Sequence, residues 1–351
     1  MLNFTRYMFK HKTGMRFIVG DHHRKICEAL DKVVRGEIKR LIINIAPRYG
    51  KTELVSKNFI AYGLALNPRS KFIHLSYSDD LVLDNSKEIN ETVQSDYYQR
   101  LFPEVVVESK NAKKWYTSVG GGLYAVSAAG QVTGFGAGQV NDPYRERREM
   151  GDFIPAWESD FAGAIVIDDP IKPEDALSET IRERVNNRFE STIRNRVNSR
   201  NTPIIIIMQR LHEHDLCGYL QEIEPEEWTV LSLPCIWHDE NGQEQPLWEF
   251  KHTLEELHKI ERSNSFVFET QYMQNPKPLE GLMYGEFKTY DIIPYAASMK
   301  RKNYTDTADT GSDYLCSICY TETPIGNFVT DILYTHHTNK VYYLKRLMIT
   351  T

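Results

Sequence analysis

The stretch that decides the fold is residues 41–53, LIINIAPRYGKTE, in which an apolar run leads through a short loop into Gly50-Lys51-Thr52. Residues 41–45 have the continuous apolar character of a central parallel strand, and residues 51–66 have the apolar spacing of a helix. A loop between such elements binds phosphates, because backbone N–H groups and the helix dipole favour negative charge there. This pattern predicts that Lys51 reaches the phosphates of a nucleotide and that the Thr52 hydroxyl ligates Mg²⁺.

The loop departs from the usual pattern G-x-x-x-x-G-K-[ST], since Ile45 stands at the first glycine position and Pro47 lies within the loop. A Gly-Lys-Thr tripeptide also occurs by chance, so an ordinary helix start is the alternative interpretation. The strand–loop–helix context favours phosphate binding. The predicted nucleotide-binding residues of the loop are Arg48, Tyr49, Gly50, Lys51, Thr52 and Glu53.

Two later apolar runs end in polar side chains. Residues 164–167 lead into Asp168 and Asp169, and residues 204–208 lead into Gln209 and Arg210. Asp168 is placed to hold Mg²⁺ and Asp169 to polarise the attacking water, while two solvated carboxylates opening a turn are the alternative. Open α/β sheets bind ligands at the carboxyl ends of their strands, so Gln209 is predicted to face the same crevice.

The alternation of strands and helices predicts an α/β fold with a doubly wound, mostly parallel sheet and helices on both faces. Residues 115–117 and 123–126 are predicted to form a hairpin around three glycines. From Lys302 onward the pattern changes to that of an antiparallel meander. The predicted domains are 1–245, a connecting segment 246–298, and an incomplete second domain 299–351.

Composition excludes several classes of protein. The chain has 351 residues, 41% of them hydrophobic and 26% charged, which excludes a wholly disordered or collagen-like chain. Its apolar runs are too short to cross a bilayer, and the N-terminal residues lack the pattern of a signal peptide, which predicts a cytosolic protein. A net charge of −6 predicts no bulk affinity for nucleic acid but leaves room for a local basic patch.

These motifs together, over residues 16–350, resemble the large terminase subunit of tailed double-stranded DNA bacteriophages, which is a DNA-packaging motor. The resemblance implies a P-loop ATPase domain of the RecA/ASCE-like type, followed by the start of an RNase H-like α/β nuclease domain. The segments that carry it are VGDHHRKICEAL, EIKRLIINIAPRYGKTE, SAAGQVTGFGAG, IVIDDPIKPEDALSE, IIIIMQRLHEHDL, QYMQNPKPLEG and YTDTADTGSDY.

The resemblance implies roles for individual residues. Arg48 is the arginine of the Walker A variant, and Asp168 is the Walker B aspartate. Asp169 stands at the catalytic carboxylate position, where many relatives carry glutamate, and Gln209 falls in the motif that couples hydrolysis to movement. Asp306 matches the first metal ligand of the nuclease.

The resemblance also implies cofactors and partners. The cofactors are ATP with Mg²⁺, and two divalent metals, Mg²⁺ or Mn²⁺, at a complete nuclease site. The partners are double-stranded DNA, a portal ring, a small terminase subunit and further copies in a ring, with no membrane and with the host cytoplasm as location.

Two features depart from the family. Residues 141–161 resemble an insertion, and the remaining acidic ligands of the nuclease have no clear counterpart in this chain. Because two metals need a cluster of carboxylates, we expect a nuclease domain that is present in part and inactive. The nearby acids are Asp309, Asp313 and Asp331.

Arginines on a polar stretch, residues 178–200, allow two interpretations. They form a solvated helix face paired with glutamates, or they contact DNA phosphates or a neighbouring subunit's ATP. The candidates for the residue acting in trans are Arg196, Arg145, Arg147 and Arg148.

The sequence therefore favours an ATP-driven DNA translocase. A helicase-like ATPase that remodels nucleic acid and a non-catalytic prophage remnant that binds nucleotide remain alternatives.

Overall fold

The computed structural model describes residues 1–108, 111–128, 130, 134–139, 161–277, 290–293, 300–306 and 315–335. The chain divides into two compact units, Met1–Leu282 and Met283–Thr351. Among the described residues, no helix is both long enough and apolar enough to cross a membrane.

The first unit is built on a seven-stranded sheet in the order β3-β4-β2-β5-β6-β1-β7. Every pairing in it is parallel except that of β3 with β4. The predicted mostly parallel α/β fold and the predicted hairpin are thus confirmed. The strands are β1 Arg40–Ile45, β2 Lys71–Ser76, β3 Lys114–Tyr116, β4 Gly122–Ser127, β5 Ile165–Asp168, β6 Ile204–Met208 and β7 Thr229–Leu233.

Helices cover both faces of this sheet. Successive side chains of a strand point to opposite faces, so neighbouring residues of one strand enter different buried clusters. On β1, Ile43 and Ile45 enter one buried apolar cluster and Ile42 enters another. The α-helices are Leu2–Thr13, Asp21–Val34, Phe59–Leu66, Asp79–Gln94, Asp96–Gln99, Glu179–Arg188, Leu216–Ile223, Leu254–Ser263 and Ser265–Val267. The described residues also form the π-helical turns Thr52–Asn58, Phe189–Ile193 and Phe268–Tyr272 and the 3₁₀ turns Asp175–Leu177 and Arg194–Arg196.

Residues 178–197 have the polar pattern of one long helix, but the regular helix that forms there is shorter. Regular α-helix ends at Arg188, and the π turn Phe189–Ile193 follows. The backbone then leaves the helix because Ala137 N–H donates to the Arg196 carbonyl at 2.8 Å and Asn198 N–H donates to the Ala137 carbonyl at 2.8 Å. Pairing with a distant segment therefore ends this helix, and the local sequence does not show that segment.

Residues 246–277, placed in the connecting segment from sequence, pack within the first unit. Leu257 and Phe268 are buried in its larger apolar cluster. A small antiparallel pair, β8 Ile236–His238 with β9 Glu244–Pro246, precedes them.

In the second unit the described residues form a three-stranded antiparallel sheet in the order β10-β11-β12. The strands are β10 Arg301–Asp306, β11 Leu315–Thr323 and β12 Gly326–Thr335. The antiparallel pattern expected from Lys302 onward is present here.

Candidate nucleotide-binding site

The candidate site lies at the carboxyl ends of three neighbouring strands of the first unit. β6 lies between β1 and β5 and pairs in parallel with both. The loop after β1, the Asp168-Asp169 pair at the end of β5 and Gln209 after β6 therefore meet at one edge of the sheet. This is where open α/β sheets bind ligands.

Lys51 joins the three strand ends. Its ammonium Nζ lies 2.6 Å from Asp169 Oδ1 and 2.6 Å from Gln209 Oε1. Lys51 is only 5% exposed, so these two contacts replace the water that the ammonium loses on burial. The structure brings the predicted phosphate-binding lysine, catalytic carboxylate and coupling glutamine together at hydrogen-bond distance.

Asp169 is held in a specific backbone conformation. Its φ is 48°, a left-handed value that aspartate tolerates better than most residues. Its N–H donates to the Ile207 carbonyl at 2.9 Å, and its carbonyl accepts from Tyr77 N–H at 3.0 Å. Burial raises the pKa of the Asp169 carboxyl, and the neighbouring Asp168 adds to that rise, while the Lys51 ammonium opposes it.

Asp168 has one carboxylate oxygen that accepts a hydrogen bond and one that lacks a partner among the described residues. Ser56 Oγ donates to Asp168 Oδ2 at 2.7 Å, and both residues are buried. Asp168 Oδ1 is buried and accepts no hydrogen bond from any described residue. A carboxylate oxygen is a ligand that Mg²⁺ prefers, directly or through its water, so this atom fits the predicted metal.

The Thr52 hydroxyl, the other predicted metal ligand, is half-buried and makes no hydrogen bond to a described residue. Both residues predicted to hold Mg²⁺ thus retain an oxygen that no described side chain uses. The sequence analysis missed Ser56, because its position four residues beyond Thr52 belongs to no phosphate-loop pattern.

The loop itself has two residues with left-handed backbone. Arg48 has a φ of 67° and an exposed side chain, and Gly50 has a φ of 81°. A Cβ on Gly50 would lie 2.8 Å from His23 Nε2, so a larger residue is disfavoured there by contact as well as by conformation. Tyr49, by contrast, is buried, and its hydroxyl lies 2.9 Å from His252 Nδ1.

Two buried histidines lie behind this loop. The ring centroids of His22 and His23 are 3.7 Å apart, and both rings pack against Trp248. Burial lowers the pKa of His22 to about 4 and that of His23 to about 3. Both are therefore neutral at pH 7, and His23 Nδ1 accepts a hydrogen bond from Gly20 N–H at 2.9 Å.

Arg210 is fixed within the first unit. Its Nε lies 3.0 Å from both carboxylate oxygens of Asp215, which also caps the helix Leu216–Ile223. The Arg210 N–H donates to Gln274 Oε1 at 3.0 Å. Gln274 thereby connects residues after 246 to the strand end that carries Gln209, a contact that the sequence analysis missed because it spans 64 residues.

The structure places some of the remaining candidates and leaves others outside the described residues. Arg196 is half-buried in a 3₁₀ turn, and Arg194 pairs with Glu190 at 2.6 Å, as the solvated-face interpretation expects. Asp306 ends β10 and Asp331 lies on β12. Arg145, Arg147, Arg148, Asp309 and Asp313 lie outside the described residues. No group of three or more metal-binding side chains occurs within the described part of the chain.

Several solved structures that are similar to this chain are phage proteins. The chain is similar in structure to phage large terminases. The HK97 bacteriophage large terminase matches with a TM-score of 0.48 and 13% identity, over 98% of this chain and 70% of that one. The large terminase of a thermophilic bacteriophage matches with a TM-score of 0.42 and 10% identity, over 91% of this chain and 72% of that one.

A variant of the ATPase domain of the Thermus phage P74-26 large terminase matches with a TM-score of 0.46 and 11% identity, over 75% of this chain and 96% of that domain. The large terminase of the thermophilic bacteriophage also matches in a complex with ATP-γ-S. No protein-family model and no curated protein matches the chain.

Proposed function

We propose that this chain is an ATP-driven motor that moves double-stranded DNA into a procapsid. The observation that carries the ATPase part is the position of Lys51 Nζ, 2.6 Å from both Asp169 Oδ1 and Gln209 Oε1 at the strand ends. A buried ammonium at the start of a helix, beside a carboxylate on the next strand but one, is suited to a triphosphate and its attacking water. The step from ATPase to DNA packaging depends on the sequence resemblance.

In this mechanism Lys51 leaves Asp169 for the phosphates when ATP binds, since two or more phosphate oxygens attract the ammonium more strongly than one carboxylate. Asp169 is then free to orient water and accept its proton. The water oxygen bonds to the γ-phosphorus while the bond to the β–γ bridging oxygen breaks, which yields ADP and phosphate. A raised pKa brings Asp169 nearer to the range in which a general base works well.

Asp168 and Thr52 are proposed to hold Mg²⁺, which when bound neutralises charge on the phosphates. Arg48 has an exposed side chain, lies three residues before Lys51, and is proposed to contact the γ-phosphate or to relay the state of the nucleotide. Tyr49, Gly50 and Glu53 are proposed to contribute through backbone N–H groups, because the Tyr49 ring is buried and the Glu53 carboxylate accepts from Asn58 at 2.8 Å.

The proposed partners are a portal ring, a small terminase subunit and further copies of this chain in a ring. An arginine from a neighbouring copy would then complete the ATP site, with Arg196, Arg145, Arg147 and Arg148 as candidates. For the second unit, we propose an RNase H-like domain in which Asp306 is the first metal ligand. Contact with DNA is proposed to be independent of sequence and to weaken with salt, because it would rest on phosphates.

The test is steady-state ATP hydrolysis with Mg²⁺, with and without double-stranded DNA, for the wild type, Lys51→Ala and Lys32→Ala. Lys32 is a half-exposed lysine on another helix and controls for the loss of a positive charge. Hydrolysis by the wild type and Lys32→Ala that disappears in Lys51→Ala would establish the ATPase. Stimulation by DNA would favour the motor, and equal rates in all three proteins would refute the assignment.

A further inference from the structure

Ser56 contacts Asp168, the aspartate proposed to hold Mg²⁺. It lies on the π-helical turn Thr52–Asn58, directly after the phosphate-binding loop. In that turn the Phe59 N–H reaches back to the Leu54 carbonyl, five residues earlier, which widens the turn. Ser56 is fully buried and faces β5, where its hydroxyl meets Asp168.

The two carboxylate oxygens of Asp168 differ in their hydrogen bonds. Ser56 has one hydroxyl proton, and Asp168 Oδ2 accepts it at 2.7 Å. Asp168 Oδ1 is left buried without a donor among the described residues. A buried carboxylate oxygen without a partner is costly, so an arrangement that keeps one oxygen bonded and the other free suits a site completed by a ligand.

Two hydroxyls are thus available near the phosphate loop, and the structure separates their tasks. In the usual phosphate-loop pattern the Ser/Thr after the lysine ligates the metal, and here that residue is Thr52. Thr52 makes no hydrogen bond to a described residue, whereas Ser56 is engaged with Asp168. Thr52 is therefore left for the metal, while Ser56 fixes the carboxylate.

We propose that Ser56 is the positioning residue of the nucleotide site, which holds Asp168 so that Oδ1 faces Mg²⁺ or its water. This inference rests on the proposed ATPase function and names a residue that acts through Asp168 without touching the nucleotide. Residues that orient metal ligands through hydrogen bonds typically change metal affinity about 10–100-fold when they are removed. Loss of Ser56 should thus lower the affinity of the nucleotide complex for Mg²⁺ and leave nucleotide binding without metal unchanged.

The experiment compares wild type with Ser56→Ala, Ser56→Cys and Ser86→Ala. Ser86 is also a fully buried serine with a hydrogen bond to one side chain, Trp115 Nε1 at 3.1 Å, and so controls for loss of a buried hydroxyl. A fluorescent ATP analogue is titrated into each protein in EDTA and at a series of Mg²⁺ concentrations, and thermal unfolding is followed in parallel.

We expect Ser56→Ala to bind the analogue in EDTA as the wild type does. It should need about 10-fold or more Mg²⁺ for half-maximal enhancement of binding. Ser56→Cys, which keeps a weak donor of similar size, should fall between the two, and Ser86→Ala should match the wild type in Mg²⁺ dependence. The increase in melting temperature that Mg²⁺-nucleotide produces should be largest in the wild type, smaller in Ser56→Cys and smallest in Ser56→Ala.

Three outcomes would overturn the inference. An unchanged Mg²⁺ dependence in Ser56→Ala and Ser56→Cys, with normal binding and hydrolysis in the wild type, would refute the role of Ser56 and leave the ATPase standing. Equal weakening with and without Mg²⁺ would show that Ser56 only supports the fold. A wild-type protein that binds no nucleotide would overturn the proposed function, and the inference with it.

Discussion

Lys51 and Asp169 form an ion pair, with 2.6 Å between Nζ and Oδ1. It connects the loop after β1 to the end of β5, and β6 lies between these two strands. The lysine side chain is 6% exposed and the aspartate side chain 24%. The carboxylate that would activate water is therefore engaged by the ammonium that would bind phosphate. In the proposed mechanism, a nucleotide that binds Lys51 also releases Asp169, so that the base becomes available only when the substrate is bound.

Replacing Asp169 with asparagine separates binding from hydrolysis. Asparagine tolerates the φ of 48° and keeps the size of the side chain, but it cannot accept a proton from water. We expect hydrolysis to fall by roughly 10²-fold or more, the usual contribution of a general base. Nucleotide affinity should stay the same or rise, because Lys51 loses its charged partner.

Single-turnover hydrolysis and equilibrium binding measure the two effects. Asp80→Asn, on an exposed carboxyl in the first turn of another helix, is the control for the change of charge. A variant that still hydrolyses ATP at the wild-type rate would show that Asp169 is not the base.

Gln209→Glu places a second carboxylate against Lys51. Because Gln209 Oε1 already lies 2.6 Å from Nζ, the added charge should hold the ammonium away from the phosphates. We expect the Kd for ATP to rise on the order of 10-fold, the effect of about 1.4 kcal/mol. Like charges disfavour ionisation, so the pKa of Asp169 should rise further and the pH–rate profile should shift upward.

Gln243→Glu, at an exposed position in a turn, provides the control for this variant. Equal ATP affinity in Gln209→Glu and wild type, measured between about pH 6 and 8, would argue that Lys51 does not exchange between Gln209 and phosphate.

Local sequence patterns predicted the elements of the site because each depends on neighbours in the chain. The apolar run into Gly50-Lys51-Thr52 and the run into Asp168-Asp169 are both readable without a structure. The parallel sheet followed from alternation, and sheet geometry then placed Asp169 and Gln209 near Lys51. These predictions needed only the rule that strands of a parallel sheet end at the same edge.

The residues that sequence reasoning missed act across long separations. Ser56 reaches Asp168 over 112 residues, and Gln274 reaches Arg210 over 64. Ser56 belongs to no motif, and Gln274 lies in the segment QYMQNPKPLEG, which does not predict its contact with Arg210. These contacts depend on a π-helical turn and on the docking of residues after 246. The early end of the helix at Arg188 has the same cause, because Ala137 pairs with the backbone beyond it.

Gly50 and Gly36 offer a comparison that separates backbone strain from contact. Their φ values are 81° and 75°, but a Cβ on Gly36 meets no atom within 4 Å, whereas one on Gly50 would lie 2.8 Å from His23 Nε2. The left-handed conformation should cost Gly36→Ala about 1–2 kcal/mol. The free energy of unfolding should fall by about 1–3 kcal/mol more in Gly50→Ala than in Gly36→Ala, because the buried His23 ring must move.

Urea unfolding of both variants measures the difference. Gly50→Ala should also weaken nucleotide binding, since the loop is displaced, while Gly36→Ala should not. Equal destabilisation of the two variants would mean that His23 yields to the new methyl group without cost.

The paired histidines behind the loop predict how stability depends on pH. Burial lowers the pKa of His22 to about 4 and that of His23 to about 3, from 6.5. Below pH 6.5 the unfolded chain therefore binds protons that the folded chain refuses, so the free energy of unfolding falls as pH drops toward 4. Each such histidine contributes a slope of up to about 1.4 kcal/mol per pH unit in that window.

His22→Phe tests this, since phenylalanine keeps an aromatic ring at this position but has no group that takes up a proton. We expect the variant to lose one histidine's share of the slope between pH 6.5 and 4 when urea unfolding is measured at several pH values. Thr5→Val removes a buried hydroxyl that does not titrate and has no hydrogen-bond partner in the described part of the chain, so it should shift stability equally at every pH. A slope in His22→Phe that matches the wild type would show that His22 takes up its proton without unfolding, and thus that its ring can reach water beside the phosphate loop.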